Sequence, residues 1–310
     1  MTDLTDERVD VSIVLPVYNE AGHLNDEVER ITKTMDASDY TYEIIVVDDG
    51  STDRSGEELR TLDGIRLIQF LQNRGSGAAR KAGTHQARGD VVVWTDVDMT
   101  YPNDEIPMLL EQMRGWDQVV GARTSEQGTK RFFRVPAKWF IRKLAEYLTA
   151  TKIPDLNSGL RAFRREVADQ YLHLLPSGFS CVTTITMAFL ANGYSIKYVP
   201  ISYSPRAGES KFHWWTDTRR YLLQVVRMVL SYNPMKVFMP ISVTLLLVAS
   251  GKLIYDVVGK DFRIAGNTLL LFSAGFIILL AALIADLLVQ VSKPVHEVDP
   301  ANVDTGPVRR

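Results

Sequence analysis

The stretch Val91-Val92-Val93-Trp94-Thr95-Asp96-Val97-Asp98-Met99-Thr100-Tyr101-Pro102 (VVVWTDVDMTYP) begins as an apolar run and ends in two acids one residue apart. Such a run reads as a strand buried inside a sheet, where an unpaired carboxylate is costly. In an extended chain residues i and i+2 face the same way, so Asp96 and Asp98 would address one partner. What that partner is depends on the segments around the strand.

Strand-like and helix-like segments alternate on both sides of it. Val11 to Val17, Glu43 to Val47, Ile65 to Phe70 and Val119 to Gly121 read as strands. Ala21 to Met35, Asp53 to Leu62, Gly77 to Ala87 and Asp104 to Met113 read as the intervening helices. Repeated βα units give an α/β fold with a parallel sheet covered on both faces. Ligands in such folds bind at the carboxyl ends of the strands, beside a switch in strand order. Beyond about residue 125 the pattern loosens into helices and loops.

The strand ends carry the chemistry. The first strand runs into Pro16-Val17-Tyr18-Asn19-Glu20 and the second into Asp48-Asp49-Gly50-Ser51-Thr52-Asp53. Asp53 reads as a helix cap after a Gly-Ser turn. Asp48 and Asp49, directly after an apolar run, read as a ligand site. Acids gathered on one rim repel each other unless something positive, or a hydrogen-bond donor, sits among them. Mg²⁺ takes one or two carboxylates and fills its remaining positions with phosphate oxygens and water. A metal-bound diphosphate therefore fits the Asp96/Asp98 strand end. Asn73 to Gly83 (NRGSGAARKAG) has the outline of a dinucleotide-binding turn, but Arg80 stands where a third glycine would let the helix pack closely.

The bulk properties narrow the class. A formal net charge of −2 argues against a nucleic-acid binder held by bulk basicity. The one cysteine, Cys181, excludes an intrachain disulfide framework and suits a reducing compartment. The acidic, polar N-terminus does not read as a signal peptide. Near the other end, Val237 to Val258 and Thr268 to Val291 are long and apolar, and about 20 residues of helix span a bilayer core. Arg219, Arg220, Arg227 and Lys236 precede the first of them, which places the main domain on the cytoplasmic face of the cell membrane. The competing expectation is a helical hairpin buried in a soluble core. Lys130 to Leu148 mixes aromatic and basic residues, and Thr216 to Tyr232 leads into the first span; both read as membrane-surface segments.

Together, PVYNE, DDGSTD, NRGSGAARKAG and DVDMTYP resemble the donor half of a family 2 glycosyltransferase with the GT-A fold. Asp155 to Phe163 (DLNSGLRAF) and Arg206 to Lys211 (RAGESK) make the chain similar to the polyprenyl-phosphate glycosyltransferases, the dolichol-phosphate mannose synthase group. The resemblance runs from about residue 11 to 212 and implies a catalytic domain over 1–212 and an amphipathic segment over 213–236. It also implies a membrane hairpin over 237–291 and a tail over 292–310.

The roles it implies are specific. Pro16, Tyr18, Glu20, Asp48 and Gly77 would hold the nucleotide, with Asp96 on the nucleotide side. Asp98, with Asp96, would hold Mg²⁺ or Mn²⁺. Arg206, Ser210 and Lys211 would lie on a loop over the phosphates, with Ser210 also serving the acceptor. Arg123 and Arg161 would face the acceptor phosphate, and Asp155 would orient Arg161 or another basic group. Where many relatives have glutamine as an extra metal ligand, this chain has Thr100. The implied reaction is inverting transfer of a hexose, mannose or glucose, from a GDP- or UDP-sugar to a polyprenyl phosphate. A homo-oligomer is compatible with this. A hydroxyl-acceptor transferase of the same fold and a non-catalytic nucleotide-sugar-binding membrane protein are the alternatives.

Overall fold

The computed structural model describes residues 9–123, 139, 142–178, 180–204, 227, 230, 233–259 and 264–292. The chain divides into an α/β unit and a C-terminal unit to which residues 143–150 also belong.

Among the described residues seven strands form one sheet: β1 (Val11–Val17), β2 (Tyr42–Asp48), β3 (Ile65–Gln69), β4 (Val91–Trp94), β5 (Gln118–Arg123), β6 (Arg161–Arg164) and β7 (Ile196–Ile201). Their order is β3-β2-β1-β4-β6-β5-β7. Only β6 runs antiparallel to its neighbours β4 and β5. The chain builds outward from β1 to β3, then crosses back to lay β4 on the other side of β1. The order reverses between β1 and β4, and open α/β sheets bind ligands at the carboxyl ends of the strands beside such a reversal.

The helices follow from local pattern. In α1 (Leu24–Asp36), Leu24, Val28, Ile31 and Met35 recur at helical spacing and are buried. The helix starts three residues later than its apolar pattern predicts, because Gly22 sits at φ +92° in a turn. The segment expected over Asp53 to Leu62 contracts to α2 (Ser55–Leu59), and α3 covers Ser76–His85. The helix expected from Asp104 splits into a 3₁₀ turn at Asn103–Glu105 and α4 (Ile106–Glu111).

Two strands, β6 and β7, occupy the stretch expected to hold only helices and loops. In β6 charged residues at both ends mask two buried apolar positions. In β7 Pro200 interrupts the strand signal, which is tolerated because β7 lies at the sheet edge.

Two helices, Pro234–Gly259 and Gly266–Ser292, form the C-terminal hairpin. Ala249 and Ala282 are fully buried, and the Ser242 hydroxyl donates to the Gly275 carbonyl at 2.9 Å. A Cβ on Gly275 would lie 2.8 Å from Leu246 Cδ2, so glycine sets the close approach. Asp256 accepts the Ala265 N–H and the Thr268 hydroxyl across the turn. Leu269, Leu270, Phe276, Ile277, Leu287 and Leu288 all face outward. That exposure overturns the soluble-core expectation; both helices are long and apolar enough to cross a membrane.

Pro240 lies inside the first hairpin helix and has no N–H to give the Lys236 carbonyl four residues back. The Tyr147 hydroxyl donates to that carbonyl at 2.8 Å instead. Lys236 Nζ in turn donates to the Leu148 carbonyl at 2.9 Å and the Tyr147 carbonyl at 3.4 Å, at the end of helix 142–149. The rest of the expected surface segment Lys130 to Leu148, except Trp139, lies outside the described residues. So do most of the segment Thr216 to Tyr232 and the tail after Ser292.

Candidate functional site

The first two motifs lock together at the rim. Asn19, at φ +56°, donates its backbone N–H to Ser51 Oγ at 3.1 Å, and its side-chain carbonyl accepts the Thr52 N–H at 2.8 Å. Asp48 is buried and accepts the Ser51 N–H at 2.9 Å and Gln69 Nε2 at 3.1 Å. Asp49, also buried, accepts the N–H groups of Arg74 and Gly75 at 2.7 and 2.8 Å. Asp53 accepts the Ser55 N–H at 2.9 Å, but the N-cap of α2 is Arg54, with no side-chain cap hydrogen bond, so Asp53 braces the turn before the helix and does not cap it. Pro16 lies within β1, and Tyr18, directly after the strand, is exposed.

β4 stops at Trp94, and the two acids lie on a bend closed by Met99 at φ +60°. The simple i, i+2 geometry of a strand therefore does not apply. Asp98 accepts the Thr100 hydroxyl at 2.6 Å. Asp96 is paired with Arg80, whose side chain rises from α3 and is 1% exposed. The Arg80 guanidinium lies 5.8 Å from the centre of the Trp94 ring. Asn103, fully buried, donates to the Asp96 carbonyl at 3.1 Å and to Glu27 of α1, and accepts the Thr95 hydroxyl. Burial above all, with the nearby Asp98 adding to it, opposes ionisation of Glu27 and holds its carboxyl above the usual range.

The antiparallel β6 brings its preceding loop to the same rim. Arg161, the first residue of β6, pairs with Trp94, the last of β4. Hence Asp155 to Gly159 lie beside the Asp96 bend. A Cβ on Gly159 would sit 2.7 Å from Asp96 Oδ2, so only glycine leaves room for that carboxylate. The Gly159 N–H donates to the Tyr101 hydroxyl at 2.7 Å.

Arg123 ends β5 and is fixed by Asp155 through Nε to Oδ2 at 2.7 Å and Nη2 to Oδ1 at 3.0 Å. Its guanidinium also lies 5.2 Å from the Tyr203 ring centre. Burial opposes ionisation of Asp155, but the hydrogen bonds and charge of Arg123 outweigh it and hold the carboxyl below its usual range. Burial likewise opposes the Arg123 charge, and Asp155 more than offsets it.

Two expected site residues are corrected. Gly77 does not offer its amide to a nucleotide: its N–H donates to the Ser177 carbonyl at 2.7 Å, and a Cβ there would lie 2.3 Å from the Pro176 carbonyl oxygen. Arg161 does not face the rim. It is fully buried and donates to the carbonyls of Ser158 and Val182 and to the Thr186 hydroxyl, fastening the Asp155 loop to helix Cys181–Ala191. Burial pulls Arg161 down to about 10. Asp155 accordingly orients Arg123, not Arg161. Arg206, Ser210 and Lys211 lie outside the described residues.

Arg80, Asn103 and Glu27 escaped the sequence reading as site residues. The available signal was a charged residue on the buried face of a small-residue helix, in the element directly before the strand with the acidic end.

Among the described residues, no group of three His, Cys, Asp or Glu side chains could hold a metal. Asp96 and Asp98 are hard oxygen donors on one bend, a set suited to Mg²⁺ or Mn²⁺ when diphosphate and water complete the shell.

The family model for Glycosyl transferase family 2 matches residues 12–172, and that for the GtrB C-terminal hairpin matches residues 233–291. Undecaprenyl-phosphate 4-deoxy-4-formamido-L-arabinose transferase from Aeromonas hydrophila is 36% identical over 212 residues, covering 65% of this chain and 62% of that one. The transferase of the same name from Pseudomonas fluorescens is 37% identical, covering 65% and 60%. The matched part is thus under two thirds of those relatives' length. Among solved structures, glucosyl-3-phosphoglycerate synthase from Mycobacterium tuberculosis, in complex with Mn²⁺, UDP and phosphoglyceric acid, superimposes with a TM-score of 0.57. It covers 72% of this chain and 78% of the synthase at 21% identity, a likeness of fold. The α/β unit has the GT-A fold.

Proposed function

The chain belongs to glycosyl transferase family 2, and from this we propose that it transfers a sugar from a nucleotide diphosphate sugar to a polyprenyl monophosphate, with inversion. The observation that carries the reading is the arrangement of the rim: an acidic donor side at Asp96 and Asp98, and a cationic side at Arg123. The apolar hairpin suits a lipid acceptor, and the relatives named above act on undecaprenyl phosphate. Arg227 and Lys236 beside the first span favour a cytoplasmic active site.

In the reaction, an acceptor phosphate oxygen attacks the anomeric carbon opposite the leaving diphosphate. The new C–O bond forms as the bond to the β-phosphate breaks, and its electron pair leaves on the diphosphate. A divalent cation held by Asp98 and Asp96 would supply Lewis-acid stabilisation of that leaving group. Arg206 and Lys211 would add donors to it. Tyr18, Glu20 and Asp48 would line the nucleotide side, and Ser210 would complete the phosphate contacts. Arg123 would hold the acceptor phosphate, with Asp155 fixing its guanidinium plane. No base is required, because a phosphate monoester with a second pKa of about 6 is already mostly dianionic at neutral pH.

A hydroxyl acceptor would need a base, and Asp155 is poorly suited to that task because Arg123 lowers its affinity for a proton. The sugar in the relatives' names is 4-deoxy-4-formamido-L-arabinose, so a donor carrying it belongs beside mannose and glucose donors. The test incubates the purified full chain with GDP- and UDP-sugars, a short polyprenyl phosphate and Mg²⁺ or Mn²⁺. A polyprenyl-phosphate sugar is the expected product. Nucleotide release with no sugar on the lipid would reject the acceptor, and no turnover of any donor would favour a binding protein.

A further inference from the structure

We propose that Arg80 is a positioning residue for the donor site, acting from beneath the rim through Asp96. Arg80 is 1% exposed, so it cannot reach a substrate itself. Among the described residues the carboxylate it pairs with is Asp96, whose side chain is 28% exposed.

The pairing fixes Asp96 from three directions. Arg80 takes Oδ1, Asn103 holds the backbone carbonyl, and the bare Cα of Gly159 leaves space for Oδ2. The Trp94 ring, itself fully buried, lies against the guanidinium and limits its movement. A buried guanidinium is a costly way to fill a core, and an apolar side chain of similar volume is often neutral or stabilising. Its placement makes sense as charge control. Asp96 and Asp98 share one bend, and a diphosphate brings more negative charge to it. A cation behind Asp96 offsets part of that repulsion and aims the carboxylate without occupying the rim. Arg80 thereby stands where a dinucleotide-binding turn needs a glycine, and serves a different ligand geometry.

The inference rests on the proposed function only in using donor nucleotide as its probe. A double-mutant cycle on the full chain in detergent tests it with two readouts, melting temperature and titration calorimetry of UDP and GDP with Mn²⁺. Asp96→Asn alone strands a buried cation and should lower the melting temperature by roughly 10 °C. Adding Arg80→Met should recover most of that loss. Nucleotide affinity should behave differently: Arg80→Met weakens it about tenfold, and the double variant binds no worse than Asp96→Asn. Arg80→Lys, which keeps the charge, should lose less affinity than Arg80→Met.

Unchanged affinity in Arg80→Met would make the pair purely structural and overturn the proposal. So would additive losses across the cycle, which would mean that Arg80 acts independently of Asp96. If the unaltered chain binds neither nucleotide, the proposed function fails. The melting cycle then decides the pairing alone, and additivity there overturns it.

Discussion

Asp155 grips Arg123 with both carboxylate oxygens, at 2.7 and 3.0 Å, and takes the Arg123 backbone N–H at 3.2 Å as well. The two residues lie 32 positions apart in sequence and meet because β5 and the loop before the antiparallel β6 end on one rim. A two-point bond of this kind fixes the plane of a guanidinium as well as its position. The pair therefore works as one unit, and substituting either member should disturb the same substrate.

Arg123→Ala and Asp155→Asn should both raise the KM for polyprenyl phosphate, by roughly tenfold or more, while leaving that for the nucleotide sugar near its original value. Steady-state kinetics varying each substrate in turn provides the measurement. A thousandfold fall in kcat for Asp155→Asn at unchanged lipid KM would instead identify Asp155 as a base.

The sign of the pH effect follows from the lowered pKa of Asp155. Its folded value lies below the ordinary 3.8, so the pair contributes stability above that pH and loses it as pH falls through the folded value. Melting curves of the native chain and Asp155→Asn should differ by a constant amount above about pH 5 and converge in stronger acid. The acid limb of the transfer rate should instead follow the acceptor phosphate near pH 6, roughly its second pKa. A rate limb shifted by Asp155→Asn would contradict this assignment.

Asp98→Asn should abolish the Mn²⁺-dependent part of nucleotide binding and leave only weak, metal-independent binding. Calorimetry with and without Mn²⁺ reads both. Equal metal enhancement in the variant and the native chain would remove Asp98 from the metal site.

Two glycines should separate packing from binding. Gly77→Ala meets the backbone of Pro176 and Gly178 and should lower stability by roughly 1–3 kcal/mol, an overpacking cost. Gly159→Ala meets the Asp96 carboxylate and the Tyr101 ring, and should weaken donor binding out of proportion to its effect on melting. Nucleotide binding lost in proportion to stability in both variants would show that the two glycines do not differ in role.

Tyr147→Phe removes the donor that the Lys236 carbonyl needs because of Pro240. It should cost about 1 kcal/mol in the native background and much less beside Pro240→Ala, which returns a helical N–H. Thermal melts of the four variants test this coupling. Equal losses in both backgrounds would show that the hydroxyl serves some other group.

The sequence by itself determined the βα alternation, the acidic strand ends and the two membrane-length helices. Each of these is a local property of period, run length or the residue following a strand. Its motifs also offered Asp96, Asp98, Arg123 and Asp155 as candidate site residues. Tertiary structure alone decided the partners. Asp155 met Arg123 and not Arg161, because β6 runs antiparallel and buries Arg161 under helix Cys181–Ala191. Gly77 turned into a packing position once the Ser177 carbonyl settled on its N–H, a contact across 100 residues. Arg80 found Asp96 because α3 packs behind the end of β4. Ion pairs, close approaches and the direction of a strand are set by sheet order, which joins segments far apart in the chain. Local pattern can show that a carboxylate needs a cation, but the order of the strands decides which cation reaches it.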